Sequence, residues 1–208
     1  DGTDTYKFDY DNNGNQLKQK KVVGSNETVL LENIYDEFNQ AVETRSNGSV
    51  IKNTYNGDGL RVVKDTNGTK TNYLYEGMQV VLETDASNNE TGRNVFGNNL
   101  ISRTTGGKTY DYAYNGMGEI TGLIDEAGSM ATRYYYDAFG VQTERIGSVI
   151  NPYSYKSYQY DEESKLYYLN SRYYDPETAR FLTEDTVRGE VGDPLSLNLY
   201  TYCVNNPV

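Results

Sequence analysis

The chain has no histidine and no tryptophan, one cysteine (Cys203), four prolines and few basic side chains. Without histidine the commonest general base and metal ligand is missing, and with it Ser-His-Asp and Cys-His catalysis and most zinc sites. One cysteine excludes an intrachain disulfide framework. The 19 Lys and Arg against 30 Asp and Glu give a net charge of −11, which argues against nucleic acid or an anionic membrane surface as partner. No apolar run is long enough for a membrane-spanning helix. Leu, Ile, Val and Phe make up only about a fifth of the residues, near the level where chains stay disordered. What compensates is 22 tyrosines, each able to bury on the order of 150–250 Å².

Those tyrosines are periodic. A tyrosine, then an acid or amide, then a glycine or asparagine three residues further on recurs as YDNNG at Tyr10, YDEFN at Tyr35, YNGDG at Tyr55, YNGMG at Tyr114 and YDAFG at Tyr136. Looser copies begin at Tyr75, Phe96 and Tyr160, and neighbouring copies lie 18 to 25 residues apart. Such a period means one supersecondary unit copied in tandem. In this motif Asp11, Asp36, Asp137 and Asp161 are expected to accept turn N–H groups. Gly14, Gly59, Gly118 and Gly140 are expected to complete the turns. The ring of each tyrosine is expected to lie on the neighbouring hairpin, with its hydroxyl in water.

Between these anchors the text alternates like short strands. Asn-Gly occurs at Asn13, Asn47, Asn56, Asn67 and Asn115, and it is the strongest short-range signal for a type I′ hairpin turn. Gly97-Asn98 and Gly106-Gly107 are expected to do the same. The expectation is an all-β chain of tandem hairpins in a curved antiparallel sheet, with strands such as 41–46, 49–55, 59–65, 69–75 and 78–84. Helix is expected only as short pieces at 177–182 and 197–203. Asp9-x-Asp11-x-Asn13-Gly14 matches half of a calcium loop, but its twelfth position is Lys20, so a plain turn is expected and no metal or cofactor. Four Asn-x-Ser/Thr acceptors, at Asn26, Asn47, Asn67 and Asn89, sit in turn-like text.

The last segment carries different text: YQYDEESKLYYLNSRYYDPETARFLTEDT, then DPLSLNLYTYCVNNPV. It resembles the Rhs repeat-associated core domain, and the upstream copies resemble the YD repeats that precede that core. Arg172, Tyr173, Tyr174, Asp175 and Pro176 match the family's RYYDP, Arg180 and Phe181 its RF, Asp185 the aspartate that follows, and 205–208 its NNPV. Two parts are expected: hairpin repeats over 1–156 and a core segment over 157–208. The chain opens in mid-pattern and reads as an internal piece.

The resemblance implies a sheet that spirals into a hollow β-shell, closed by a plug-like core segment. It implies a bacterial, secreted or cell-wall-associated protein of intercellular competition, whose partners are the rest of its own chain and a C-terminal toxin held inside. Many bacterial members cut themselves after the core by an aspartyl-type mechanism. For that chemistry Asp185 is the expected carboxylate and Arg180 its charge partner, with the second acid drawn from Asp161, Asp175 or Asp193, since water activation needs two acids of separated pKa. The piece itself is expected not to be an enzyme. Two other readings remain: an aromatic array that binds cell-surface glycan, and free strand edges that pair with another copy.

Overall fold

The computed structural model describes residues 5–207; the outer ends of the two expected parts, and the last residue of the NNPV match, lie outside the described residues. Fourteen strands follow in chain order: β1 (Thr5–Tyr10), β2 (Gln16–Val23), β3 (Asn26–Tyr35), β4 (Ala41–Ser46), β5 (Ser49–Tyr55), β6 (Arg61–Thr66), β7 (Thr69–Glu76), β8 (Gln79–Thr84), β9 (Glu90–Phe96), β10 (Leu100–Thr105), β11 (Lys108–Tyr114), β12 (Ile120–Ile124), β13 (Met130–Tyr136) and β14 (Gln142–Ile146). Each pairs antiparallel with the next in a single meander, so β1 and β14 are its edges. A second sheet of four short strands follows: β15 (Gln159–Asp161), β16 (Leu166–Tyr168), β17 (Tyr173–Asp175) and β18 (Arg180–Phe181). The chain is all-β, as its alternation predicts.

Two kinds of turn recur in the large sheet. At the tyrosine end, the residue after the tyrosine accepts from the second and fourth N–H beyond it. Asp11 Oδ1 takes Asn13 and Asn15, and Asp36 Oδ1 takes Phe38 and Gln40. Asn56, Asn115 and Asp137 repeat the pattern. The third residue after each acceptor has positive φ: Gly14, Asn39, Gly59, Gly118 and Gly140. At the opposite end, Asn47-Gly48, Asn67-Gly68 and Gly106-Gly107 have both φ values positive, the type I′ geometry.

This corrects the reading of Asn-Gly. Only the copies at Asn47 and Asn67 make type I′ turns. Asn56 and Asn115 replace the aspartate as turn acceptor, and Gly14 supplies the left-handed residue. Gly97-Asn98 sits in a three-residue loop closed by Gly97 N–H on the Asn99 carbonyl, with neither φ positive.

The expected helical pieces are also corrected. Asp175 accepts from Glu177 N–H and Thr178 Oγ1, and Ala179 takes φ 56°. That bends residues 176–179 into a hairpin turn and makes Arg180–Phe181 a strand. Near 197–203 the backbone forms 3-10 turns only, at Pro194–Leu197 and Cys203–Asn205. Among the described residues no helix is long and apolar enough to cross a membrane.

The C-terminal segment lies against one face of the large sheet and shares its core. Leu31, Ala41, Leu166, Tyr168, Tyr173 and Leu182 form one buried cluster. Tyr73, Leu100, Tyr112, Ile120, Leu123 and Tyr153 belong to another. One hairpin of this segment touches strands far apart in the meander. Leu182 bonds Tyr173 and accepts from Gln16 N–H on β2 (2.8 Å). Tyr173 meets Arg61 on β6, and Tyr174 donates to the Phe139 carbonyl just after β13 (2.8 Å). In a flat sheet β2 and β13 would stand about 53 Å apart, at ~4.8 Å per strand. The tyrosine end of the sheet is therefore curled around the segment.

Candidate functional site: the seat of the C-terminal segment

The seat is built from two rows of side chains that cross the strands. Tyr10, Tyr35, Tyr55, Tyr75, Phe96, Tyr114 and Tyr136 share one register position, each at a local register shift and each opposite the first residue of the following strand, or for Tyr75 the second. Five of the hydroxyls are not in water, contrary to expectation. Each of the five donates to the backbone carbonyl that opens the even-numbered strand of the preceding hairpin. Tyr35 bonds Gln16, Tyr55 bonds Ala41, Tyr75 bonds Arg61, Tyr114 bonds Leu100 and Tyr136 bonds Ile120, at 2.6–3.2 Å. The shift in register exposes that carbonyl, and the tyrosine fills the gap. Burial pushes the phenols of Tyr35, Tyr55, Tyr75 and Tyr136 well above their ordinary pKa.

Two residues before the anchor, Asn33, Asn53 and Asn94 donate to carbonyls of the same row, those of Gln16, Ala41 and Val80. The repeated Asn-x-Tyr or Asn-x-Phe text was the overlooked signal for this ladder. Tyr10 begins the row and packs its ring on Tyr200 (5.6 Å), whose hydroxyl donates to the Gly14 carbonyl. Tyr160 does not belong to it. It lies in the small sheet with its ring on Tyr167, and Asp161 is not a turn acceptor.

Asp161 instead meets Arg61. The Arg61 guanidinium gives Nη1 to Asp161 Oδ2 (2.6 Å) and to the Tyr173 hydroxyl (2.9 Å), and Nη2 to Gln159 Oε1 (2.8 Å). It lies 4.5 Å from the centre of the Tyr168 ring, and only 1% of its surface is exposed. Lys64 reaches the other Asp161 oxygen (3.0 Å) and Glu163 (2.7 Å). A second buried pair lies two hairpins on. Arg103, also 1% exposed, holds both oxygens of Glu83 (2.9 and 2.7 Å) and bonds Asn94. The Tyr153 hydroxyl joins the two, donating to Glu83 (3.1 Å) and accepting from Gln159 Nε2 (3.3 Å). Gly92 is needed here, because a Cβ would strike the Arg103 guanidinium. Sequence reasoning missed Arg61, Glu83, Arg103, Tyr153 and Gln159. For Arg61 the signal was a charge at a position that is neutral in the other copies.

Other segment tyrosines bind turns at the tyrosine end. Tyr155, Tyr167 and Tyr174 donate to the carbonyls of Ala138, Gly140 and Phe139, and Lys156 donates to Met117. A Cβ on Gly140 would come within 2.6 Å of the Tyr155 ring.

The residues expected to carry acid chemistry are separated. Asp185 is held by Arg172 Nη2 (2.6 Å), not by Arg180. Arg180 donates to Asn205 Oδ1 and to the Ala179 carbonyl. The reason is local: Asp175 and Arg180 face each other across β17 and β18, but the Asp175 carboxylate turns back to its own hairpin. Burial raises the Asp175 pKa, partly offset by its bonds from Thr178 and Glu177. Asp161 is occupied by Arg61 and Lys64. Of the three acids expected to stand with Asp185, only Asp193 lines the same cleft. That cleft measures about 620 Å³ and is also lined by Arg172, Phe181 and Tyr202. Arg172 stacks on Phe181 with its guanidinium 3.7 Å from the ring centre. In the half calcium loop, Asp9 pairs with Lys20 and Asp11 serves its own turn.

No protein-family model matches the chain. It is 39% identical over 206 residues to the tRNA3(Ser)-specific nuclease WapA of Bacillus spizizenii, covering 96% of this chain and 9% of that protein. It is 40% identical over 206 residues to the tRNA nuclease WapA of Bacillus subtilis strain 168, again covering 96% and 9%. The chain thus spans about a tenth of the length of these curated relatives. Among solved structures it is similar to a TcdB2–TccC3–Cdc42 crystal structure, with TM-score 0.68 and 17% identity over 98% of this chain and 13% of that one. It is also similar to a Photorhabdus luminescens Tc holotoxin pore, with TM-score 0.65 and 18% identity over 99% and 13%. The long antiparallel meander with its C-terminal segment is therefore a fold shared with Tc toxin structures, and its sequence is similar to a short stretch of WapA nucleases.

Proposed function

We propose that this chain is a stretch of wall and its seal in an Rhs-type polymorphic toxin, a chamber that holds a toxin segment of the same polypeptide at or outside the bacterial surface. The observation that carries this reading is the reach of the C-terminal segment. It hydrogen-bonds turns from the first described hairpin (Gly14) to the last (Ala138 to Gly140), so it draws the sheet around itself and covers that end. Five anchor tyrosines that bond backbone carbonyls suit a wall, since each of those phenols is spent on the neighbouring hairpin. In this reading, nuclease chemistry of the kind named in the relatives belongs to polypeptide beyond the shared stretch.

The test is limited proteolysis of the full-length polypeptide that carries this chain. We expect the toxin segment to resist protease in the folded protein and to be cut rapidly once mild denaturant opens the sheet. Equal cutting in both states would count against a chamber. The same gel addresses self-processing by Asp185 and Asp193, which share a cleft: it predicts a discrete fragment that Asp185→Asn abolishes, and an identical pattern in the variant removes that reading.

A further inference from the structure

A repeat array poses a problem of placement. Most hairpins present the same turn, and all present carbonyls at the same end of the sheet, so a segment that binds through tyrosine hydroxyls meets similar acceptors one hairpin to either side. At the position opposite each anchor from Tyr10 to Tyr114, the inward residues are Gln16, Ala41, Arg61, Val80, Leu100 and Ile120. All six are buried. Only one of them is charged. Three residues further along the same strands stand Lys64 on β6, Glu83 on β8 and Arg103 on β10, with Gln19, Thr44 and Leu123 at the equivalent positions of β2, β4 and β12. The row also holds Arg145 on β14, half-buried and paired with Glu162 of the segment, but Glu83 and Arg103 are the charges in it that are fully buried.

The segment carries the matching partners. Asp161 meets Arg61 and Lys64, Gln159 bridges Arg61 and Tyr153, and Tyr153 meets Glu83. We propose that this buried network is a register key: Arg61, with Lys64 and Glu83, fixes which hairpins receive the C-terminal segment. A slip of one hairpin would set Asp161 against Ala41 or Val80 and strand Arg61 in the core. A buried charge without its partner is far more costly than any tyrosine bond the slip preserves. A lone polar position that selects register has the same logic in coiled coils and in sheets. The key acts as a positioning device, and it requires only that the segment seats on the sheet, whatever the assembly holds.

The test traps the seat chemically in the full-length polypeptide, with exposed Cys203 replaced by serine. Asn170 donates to the Met78 carbonyl in the native seat. A cysteine at 170 is paired with one at 78, or at 58 or 98 in the neighbouring turns, and joined by a short thiol crosslinker. With the key intact, 78 captures the product. In Arg61→Met with Asp161→Leu, which replaces the pair by apolar groups of similar size, crosslinks at 58 or 98 rise about tenfold or more. The reversed pair, Arg61→Asp with Asp161→Arg, returns the product to 78. If the apolar pair fails to fold, Asp161→Asn is read in the same way. Crosslinking that stays confined to 78 in a folded variant without the charge pair overturns the proposal.

Discussion

Two aspartates of the C-terminal segment show how one segment perturbs like groups in opposite directions. Burial alone raises both. At Asp161 the neighbouring Arg61 and Lys64 charges outweigh it, and the carboxyl is held below the ordinary range. At Asp175 no cation compensates, and burial leaves the carboxyl raised. The linkage then differs in sign. The stability from Asp161 is fully present above the unfolded value of about 3.9 and is lost as pH falls through its lower folded pKa. Asp175 binds its proton more readily in the folded chain, so protonation as pH falls toward about 4 adds stability. Carboxyl carbon-13 titration should therefore place Asp175 above, and Asp161 below, the usual carboxylate midpoint. A common midpoint for both would contradict the ion-pair assignment. Little of this was legible in the sequence. Asp161 follows a tyrosine as Asp11 and Asp36 do, and only the fold brings Arg61 across 100 residues to meet it. The resemblance pointed to Arg180 as the partner of Asp185, whereas Arg172, its guanidinium stacked on Phe181, is the residue that reaches Asp185.

At the scale of elements the hairpins were legible, because a turn is specified by residues that touch one another. The anchors from Tyr10 to Tyr136 fell into one register row for that reason. Two further turns of the same build, at Asp85 and Asp125, were missed because no tyrosine precedes them. The glycines separate turn strain from docking. Gly118 and Gly140 both have positive φ, 76° and 94°, but a Cβ at 118 meets open space while one at 140 meets the Tyr155 ring. Gly118→Ala should cost about 1 kcal/mol from the left-handed backbone alone. Gly140→Ala should cost about 1–3 kcal/mol more, from the overpacked contact with the segment. Urea denaturation measures both. Equal losses would mean that the turn after β13 does not receive Tyr155.

At the scale of the molecule, an open meander has two free edges and one face that needs cover. The C-terminal segment supplies the cover, and by bonding turns along the whole tyrosine end it also imposes the curl. The sequence carried this only as a change of text after residue 156. Which strands the segment touches is a long-range matter that periodic repeats leave degenerate, and the buried charges of β6, β8 and β10 resolve it. The central claim is that the segment draws the first and last turns of the tyrosine end around itself. Paired spin labels at Asn12 and Ala138, read by pulsed dipolar spectroscopy in the full-length polypeptide, measure this directly. Twelve strand spacings in a flat sheet would separate those turns by about 58 Å. The account predicts one narrow distance distribution well below that span, whereas a broad distribution centred near it would contradict the account.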